Sequence, residues 1–182
     1  MALASFEQIC FVVHDIQKEI AKWVSLGAGP FYLREVHFSP GRNFNYRGRE
    51  AKDSCVICLG FFGNTQIELS QPLDTEPSIF REVLDSKGEG VHHLQPRCRP
   101  LAAEEFDSEF RRYESLGLEP GLSLQLPDSS RVVFFDGMAK YGFFIELVER
   151  PLATFKENLK MYGEHCAWDG NDPVRAFENR PR

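Results

Sequence analysis

An internal duplication constrains the fold of this chain more than any other feature of its sequence. Each half contains a predicted helix that ends in Ser-Leu-Gly, at residues 25–27 and 115–117. Each half also contains a later strand that reads Ile-Glu-Leu, at residues 67–69 and 145–147. Two shared tripeptides in the same order and the same setting indicate repetition rather than coincidence. We therefore expect two similar modules.

Hydrophobic periodicity predicts the order β-α-β-β-β in each half. In the first half, a strand over 6–13 precedes a helix that Asp15 caps, and further strands follow over 31–38, 44–49, 54–62 and 65–69. In the second half, a strand opens at 91–94, a helix covers 104–116, and strands follow over 121–126, 131–135 and 142–148. We predict an α+β fold with modules at 1–70 and 91–150, a linking helix or loop at 71–90, and a helical C-terminal extension at 151–182.

Composition excludes several classes of function. A net charge of −6 argues against a broad nucleic-acid surface. No apolar run has the length of a membrane span, and the first residues lack the pattern of a signal peptide. We therefore expect a cytoplasmic protein that binds a small molecule rather than a nucleic acid or a membrane.

The five cysteines give no clear metal motif. Cys55 and Cys58 match C-x-x-C, but they lie in an apolar run that is typical of a strand. Residues three apart on a strand face opposite sides, so their thiols would not converge on one ion. We interpret both as buried strand cysteines.

Four segments resemble the vicinal oxygen chelate superfamily, which includes glyoxalase I, bleomycin-resistance proteins, extradiol dioxygenases and methylmalonyl-CoA epimerase. They are residues 8–16, 67–72, 88–94 and 142–149, and the resemblance covers roughly residues 6–150. The segment 88–94 is most similar to the epimerase branch. The resemblance implies two tandem βαβββ modules whose cupped sheets form a metal-binding cleft.

The resemblance also implies a set of metal ligands, one from the first and one from the last strand of each module. In this chain these positions are Gln8, Glu68, His93 and Glu146. Two carboxylates, an imidazole and an amide oxygen suit a divalent ion such as Zn, Mg, Mn, Co or Ni. The order of ligand types matches glyoxalase I of the eukaryotic type, whereas epimerase-type members have His first and Gln second.

Each ligand assignment has an alternative. Glu68 and Glu146 could face solvent on half-exposed strands, although their equivalent places in the repeat favour the ligand interpretation. Because side chains alternate along a strand, only one of His92 and His93 is expected to face the cleft. The family register favours His93, which leaves His92 as a supporting or surface residue.

The chemistry implied by the resemblance is removal of a proton beside a metal-chelated carbonyl, as in an isomerase, epimerase or lyase. Glu146 is the first candidate for the base, and Glu68 or a metal-bound water is the second. Extradiol dioxygenase chemistry is disfavoured because the first ligand is Gln, and no feature specific for glutathione supports glyoxalase I. A binding protein that sequesters a ligand without turnover is the non-enzymatic alternative.

Residues 38–49 mix arginines with aromatic residues and could bind an acyl-CoA or another apolar substrate. The alternative is an amphipathic edge strand with solvated arginines. We expect a homodimer, and the sequence leaves open whether the site lies within one chain or across the dimer. The candidate substrate-binding residues are Arg42, Phe44, Tyr46, Arg47 and Arg49.

Overall fold

The computed structural model of the chain describes residues 6–38 and 43–177, which form a mixed α+β fold. The helical C-terminal extension predicted from the sequence is present. In chain order the elements are β1 (Phe6–Val12), α1 (Ile16–Ser25), β2 (Phe31–Phe38), β3 (Asn45–Tyr46), β4 (Arg49–Glu50), β5 (Asp53–Phe62), β6 (Thr65–Pro72), α2 (Ile79–Lys87), β7 (Gly90–Cys98), α3 (Ala103–Ser115), β8 (Glu119–Gln125), β9 (Arg131–Asp136), α4 (Met138–Tyr141), β10 (Phe144–Val148), α5 (Leu152–Cys166) and β11 (Val174–Ala176).

The two repeats join edge to edge in one curved sheet. The strand order is β11-β2-β5-β6-β1-β7-β10-β9-β8-β3-β4. In each repeat the first strand pairs in parallel with the last, β1 with β6 and β7 with β10. The two first strands, β1 and β7, pair antiparallel with each other. The four strands that carry the predicted ligands are therefore neighbours at the centre of the sheet.

The repeated Ile-Glu-Leu strands show how local sequence sets the two faces of the sheet. Ile67 and Leu69 pack in one apolar cluster with residues of α1, which Asp15 caps by accepting from the Lys18 amide at 3.0 Å. Ile145 and Leu147 pack in the same way with residues of α3. Because side chains alternate along a strand, the glutamate between each pair faces the opposite, inner side.

Two helices cover the inner face. The linking helix α2 packs Ile79, Phe80, Val83 and Leu84 against both repeats, in a cluster that includes Val12 and Phe134. The C-terminal helix α5 packs Phe155 and Met161 against Phe61 and Cys98. The inner face is therefore covered by apolar side chains of both helices rather than forming an open groove.

The segment that the sequence predicts as a strand over 44–49 is instead two short strands, and it belongs to the edge of the second repeat. β3 pairs with β8, and a turn at Arg47 and Gly48, both with positive φ, leads into β4. The Phe44 ring stacks on the Phe38 ring at 5.1 Å and 12°. Since Phe38 ends β2, the sheet curls until its two ends approach each other.

The cysteines agree with their interpretation as buried strand residues. Cys58 packs with α1, while Cys55 lies three positions earlier on the same strand, and both are free. Burial raises the pKa of both thiols. Among the described residues, no helix is both long and apolar enough to cross a membrane.

Candidate metal centre

A patch of polar side chains lies on the inner face where the two repeats meet. Its members come from four adjacent strands and are surrounded by the apolar residues of α2 and α5. They are Gln8 and Cys10 on β1, Gln66 and Glu68 on β6, His92, His93 and Gln95 on β7, and Glu146 on β10.

The first repeat contributes a glutamine and a carboxylate that touch. The Gln8 Nε2 donates to Glu68 Oε2 at 2.9 Å and to Gln66 Oε1 at 3.1 Å. These bonds orient the amide and leave Gln8 Oε1 buried without a hydrogen-bond partner in the part of the chain that the structure describes. A buried carbonyl oxygen in that state is costly, and a cation can satisfy it.

The second repeat contributes an imidazole and a carboxylate. His93 is fully buried, and its Nε2 lies 3.8 Å from Glu146 Oε2, too far for a hydrogen bond. Among the described residues, its Nε2 has no other partner. Burial, followed by the neighbouring His92, keeps the pKa of His93 well below its usual range. A neutral imidazole with an unused nitrogen is the form that binds a metal.

The two carboxylates are both desolvated. Burial raises the pKa of Glu68 to about 7, with Arg34, Cys10 and Arg150 opposing the rise. Burial and then the charge of Glu68 raise the pKa of Glu146 to about 8. Two carboxylates, a free amide oxygen and a free imidazole nitrogen in one buried patch fit a divalent cation, which would compensate the negative charge.

His92 departs from the expectation that only one of the two adjacent histidines faces the cleft. Cys10 lies opposite His93 whereas the next residue, Phe11, lies opposite Val91, so β7 has one extra residue at this point. Such a β-bulge breaks the alternation of side chains. Both rings are fully buried, with their Nδ1 atoms 2.9 Å apart, so the surface alternative for His92 is wrong.

Cys10 is a site residue that the sequence reasoning missed. It pairs in register with Glu68 on one side and His93 on the other. One ligand atom from each of Cys10, His92 and His93 lies within 4.8 Å of the others. Burial and the two glutamates raise the pKa of its thiol. Strand alternation starting from Gln8 was the available signal, since it places Cys10 on the same face.

The predicted substrate-binding residues are not gathered at this patch. Phe44 is fully buried in the α2 cluster, and the Tyr46 hydroxyl donates to Glu82 at 2.8 Å. Arg47 forms ion pairs with Glu82 and with Asp136. Arg49 is exposed on β4 at the end of the sheet, and Arg42 lies outside the described residues.

Arg150 is a positive group that acts on both carboxylates. It donates to Cys98 Sγ at 2.9 Å and to Gln95 Oε1 at 3.3 Å, and its charge opposes the raised pKa of both Glu68 and Glu146. Asn158 of α5 donates to the same sulfur at 3.1 Å. The C-terminal helix is thus connected to the rim of the polar patch.

The fold and the site define a class of protein, which is a duplicated βαβββ fold with a polar centre on its inner face. Comparison of the sequence with models of protein families identifies the family. The model of the Glyoxalase/Bleomycin resistance protein/Dioxygenase superfamily matches residues 7–134, so the chain belongs to that superfamily. No curated protein sequence matches the chain.

Solved structures with the same fold include methylmalonyl-CoA epimerases. The Mycobacterium tuberculosis epimerase is 21% identical with a TM-score of 0.52, over 83% of this chain and 92% of that one. A hypothetical protein from Bacillus halodurans is 18% identical with a TM-score of 0.53, over 79% and 91%. An epimerase bound to methylmalonyl-CoA and an ammonium ion is 17% identical with a TM-score of 0.52, over 84% and 98%. At these identities the likeness establishes the shared fold.

Proposed function

We propose that this protein is a metal-dependent isomerase, epimerase or lyase that removes a proton beside a carbonyl. The observation that carries the proposal is that two desolvated carboxylates, an amide oxygen without a hydrogen-bond partner and an imidazole nitrogen without one lie on four adjacent strands in one buried patch of the described chain. Gln8 Oε1, Glu68, His93 Nε2 and Glu146 would hold the ion. When bound, the ion would supply Lewis acidity to two neighbouring oxygens of the substrate.

Glu146 is the proposed base. Burial raises the pKa of Glu146 to about 8 in metal-free protein, and a bound ion would lower it, so Glu146 would act as a ligand that detaches from the ion to take up the proton. Glu68, on the other repeat, has a pKa raised to about 7 and is held by the Gln8 amide. It is the second candidate, and two carboxylates on opposite sides of a substrate would serve an epimerase. The helices α2 and α5 would exclude water from this step.

The sharpest form of the proposal is an epimerase that acts on an acyl-CoA in the cytoplasm, as a homodimer. The shared fold with methylmalonyl-CoA epimerases supports the reaction type. The Glu146 side chain is 11% exposed, beneath covering helices. A thioester would therefore have to displace part of α5 or α2, whereas a smaller apolar carbonyl compound would need less rearrangement.

The covered site also favours a second candidate function, which is a binding protein that sequesters a ligand without turnover. Metal analysis and deuterium exchange from solvent separate the two functions. Metal and ligand binding without proton exchange supports sequestration, and exchange with solvent supports the enzyme.

The base assignment predicts the behaviour of Glu146→Gln. The amide of glutamine keeps an oxygen for the ion but cannot take a proton. We expect the metal content to stay near one ion per chain, while deuterium exchange from solvent into a candidate acyl thioester falls by about 100-fold or more. Metal analysis and mass spectrometry of the thioester measure the two effects.

Glu149→Gln is the matched control, because Glu149 lies three residues further along and pairs with Arg131 instead of facing the patch. The Glu149→Gln variant should leave deuterium exchange into the thioester unchanged. Wild-type protein that takes up no metal when the ion is supplied in excess would rule out the proposed function.

A further inference from the structure

The β-bulge in β7 creates a direct contact between two imidazole rings. The Nδ1 atoms of His92 and His93 lie 2.9 Å apart. At this distance one nitrogen donates a proton and the other accepts it. Both rings are fully buried, where a charged imidazolium is disfavoured. A neutral imidazole has one N–H, so the two rings must be opposite tautomers.

The role proposed for His93 indicates which ring donates. The Nε2 atoms of both rings lack a hydrogen-bond partner among the described residues, so the contacts alone fit either direction. A histidine that binds a metal through Nε2 needs its lone pair on that nitrogen, which places the proton of His93 on Nδ1. The Nδ1 of His92 is then the acceptor, and the proton of His92 lies on Nε2.

We propose that His92 is a positioning residue, whose Nδ1 accepts the Nδ1–H of His93 and fixes His93 in the tautomer with a lone pair on Nε2. That nitrogen faces Glu146 at 3.8 Å and lies within the polar patch. The use of the lone pair as a metal ligand rests on the proposed function. Ligating histidines generally donate their other N–H to a fixed acceptor, which sets the ring orientation and strengthens the ligand.

The His92 ring is held in place for this task by stacking. It lies parallel to Phe80 at 4.3 Å and 11°, and against Phe144 at 5.4 Å and 21°. Phe80 belongs to α2 and Phe144 to β10, so the His92 ring is held between the covering helix and a strand of the sheet. The position of α2 therefore influences the orientation of a predicted metal ligand in a strand that it covers.

Two variants of His92 separate the hydrogen bond from the packing. His92→Phe keeps an aromatic ring between Phe80 and Phe144 but removes the acceptor. His92→Asn restores an acceptor oxygen close to the place of Nδ1 and loses the stacking. His37→Asn is the control, because His37 lies on an exposed part of β2. The readouts are nitrogen NMR of labelled histidine in metal-free protein and a competition titration with Zn²⁺.

In metal-free wild type, we expect His93 to carry its proton on Nδ1 and His92 on Nε2. His92→Phe should give a tautomer mixture at His93 and roughly 10–100-fold weaker Zn²⁺ binding, and His92→Asn should recover part of both. A proton on Nε2 of wild-type His93, or wild-type Zn²⁺ affinity in His92→Phe, overturns the inference. The NMR measurement of the tautomer needs no metal. If the wild type binds no ion, the proposed function is refuted, and the NMR result still decides whether His92 fixes the tautomer of His93.

Discussion

At the scale of single residues, the candidate site reduces the free energy of unfolding because Glu68 and Glu146 are buried. An unfolded chain exposes both carboxylates to water, where they ionise near the ordinary value of 4.5. In the metal-free fold their pKa values are raised to about 7 and about 8. Between about pH 4.5 and about pH 8, the folded state therefore holds more protons on these two groups than the unfolded state, so the free energy of unfolding depends on pH.

This linkage predicts that metal-free protein loses stability as the pH rises through about 7 and about 8. The stability that the two neutral carboxyl groups contribute is fully present below their unfolded pKa and is lost as the pH rises through those values. His92 and His93 act in the opposite direction below about pH 6.5, because burial lowers their pKa and the unfolded state then binds the additional protons. The Tm of chelator-treated protein should therefore fall between about pH 6.5 and about pH 9, and bound metal should reduce or reverse the fall because it favours the charged carboxylates. Glu68→Gln should flatten the metal-free profile. A metal-free Tm that rises across this range would contradict the assignment.

At the scale of secondary structure, patterns within a single strand were sufficient to predict which side chains face inward. The Ile-Glu-Leu strands identify Glu68 and Glu146 because alternation depends only on adjacent residues. The bulge at His92 could not be predicted this way, because it arises from the pairing of β7 with β1 and Val91-His92-His93 reads as regular strand. The pairing of β3 with β8 is also a contact between distant segments.

Two glycine substitutions test the packing of individual elements in opposite directions. A Cβ at Gly60 of β5 would lie 2.6 Å from a ring atom of Phe31, which is fully buried on β2. Gly60→Ala should destabilise the fold by about 1–3 kcal/mol. A Cβ at Gly163 of α5 meets nothing within 4 Å, so Gly163→Ala should stabilise it by roughly 0.5–1 kcal/mol. Urea denaturation measures both, and equal effects from the two would argue against the described packing.

At the scale of the whole molecule, the repeats share their central strands and so share their stability. β1 and β7 pair along their length, and the cluster around α2 contains residues from both repeats, among them Cys10 and Val12 from the first and Phe134 from the second. Neither repeat could separate without exposing this cluster to water. The sequence predicted two modules, but the extent of their joint core depends on contacts that no local pattern contains.

The shared core predicts one cooperative unfolding transition. In a Trp168→Phe variant, Trp23 on α1 is the remaining tryptophan and reports on the first repeat. Its fluorescence and the far-ultraviolet circular dichroism of the whole chain should change at the same urea concentration. Two separated transitions would show that the repeats unfold independently.

The curled sheet has a further consequence for behaviour at high concentration. Sheet edges are templates for strand addition, and long exposed edges promote aggregation. Here the strands at the two ends are β4, with two residues, and β11, with three. An approaching strand from another molecule would find few unpaired amide and carbonyl groups on β4 and β11 themselves. The longer edge available to it is residues 34–38 of β2, which no described strand covers. Strand addition to this sheet is therefore expected at β2 rather than at either end strand.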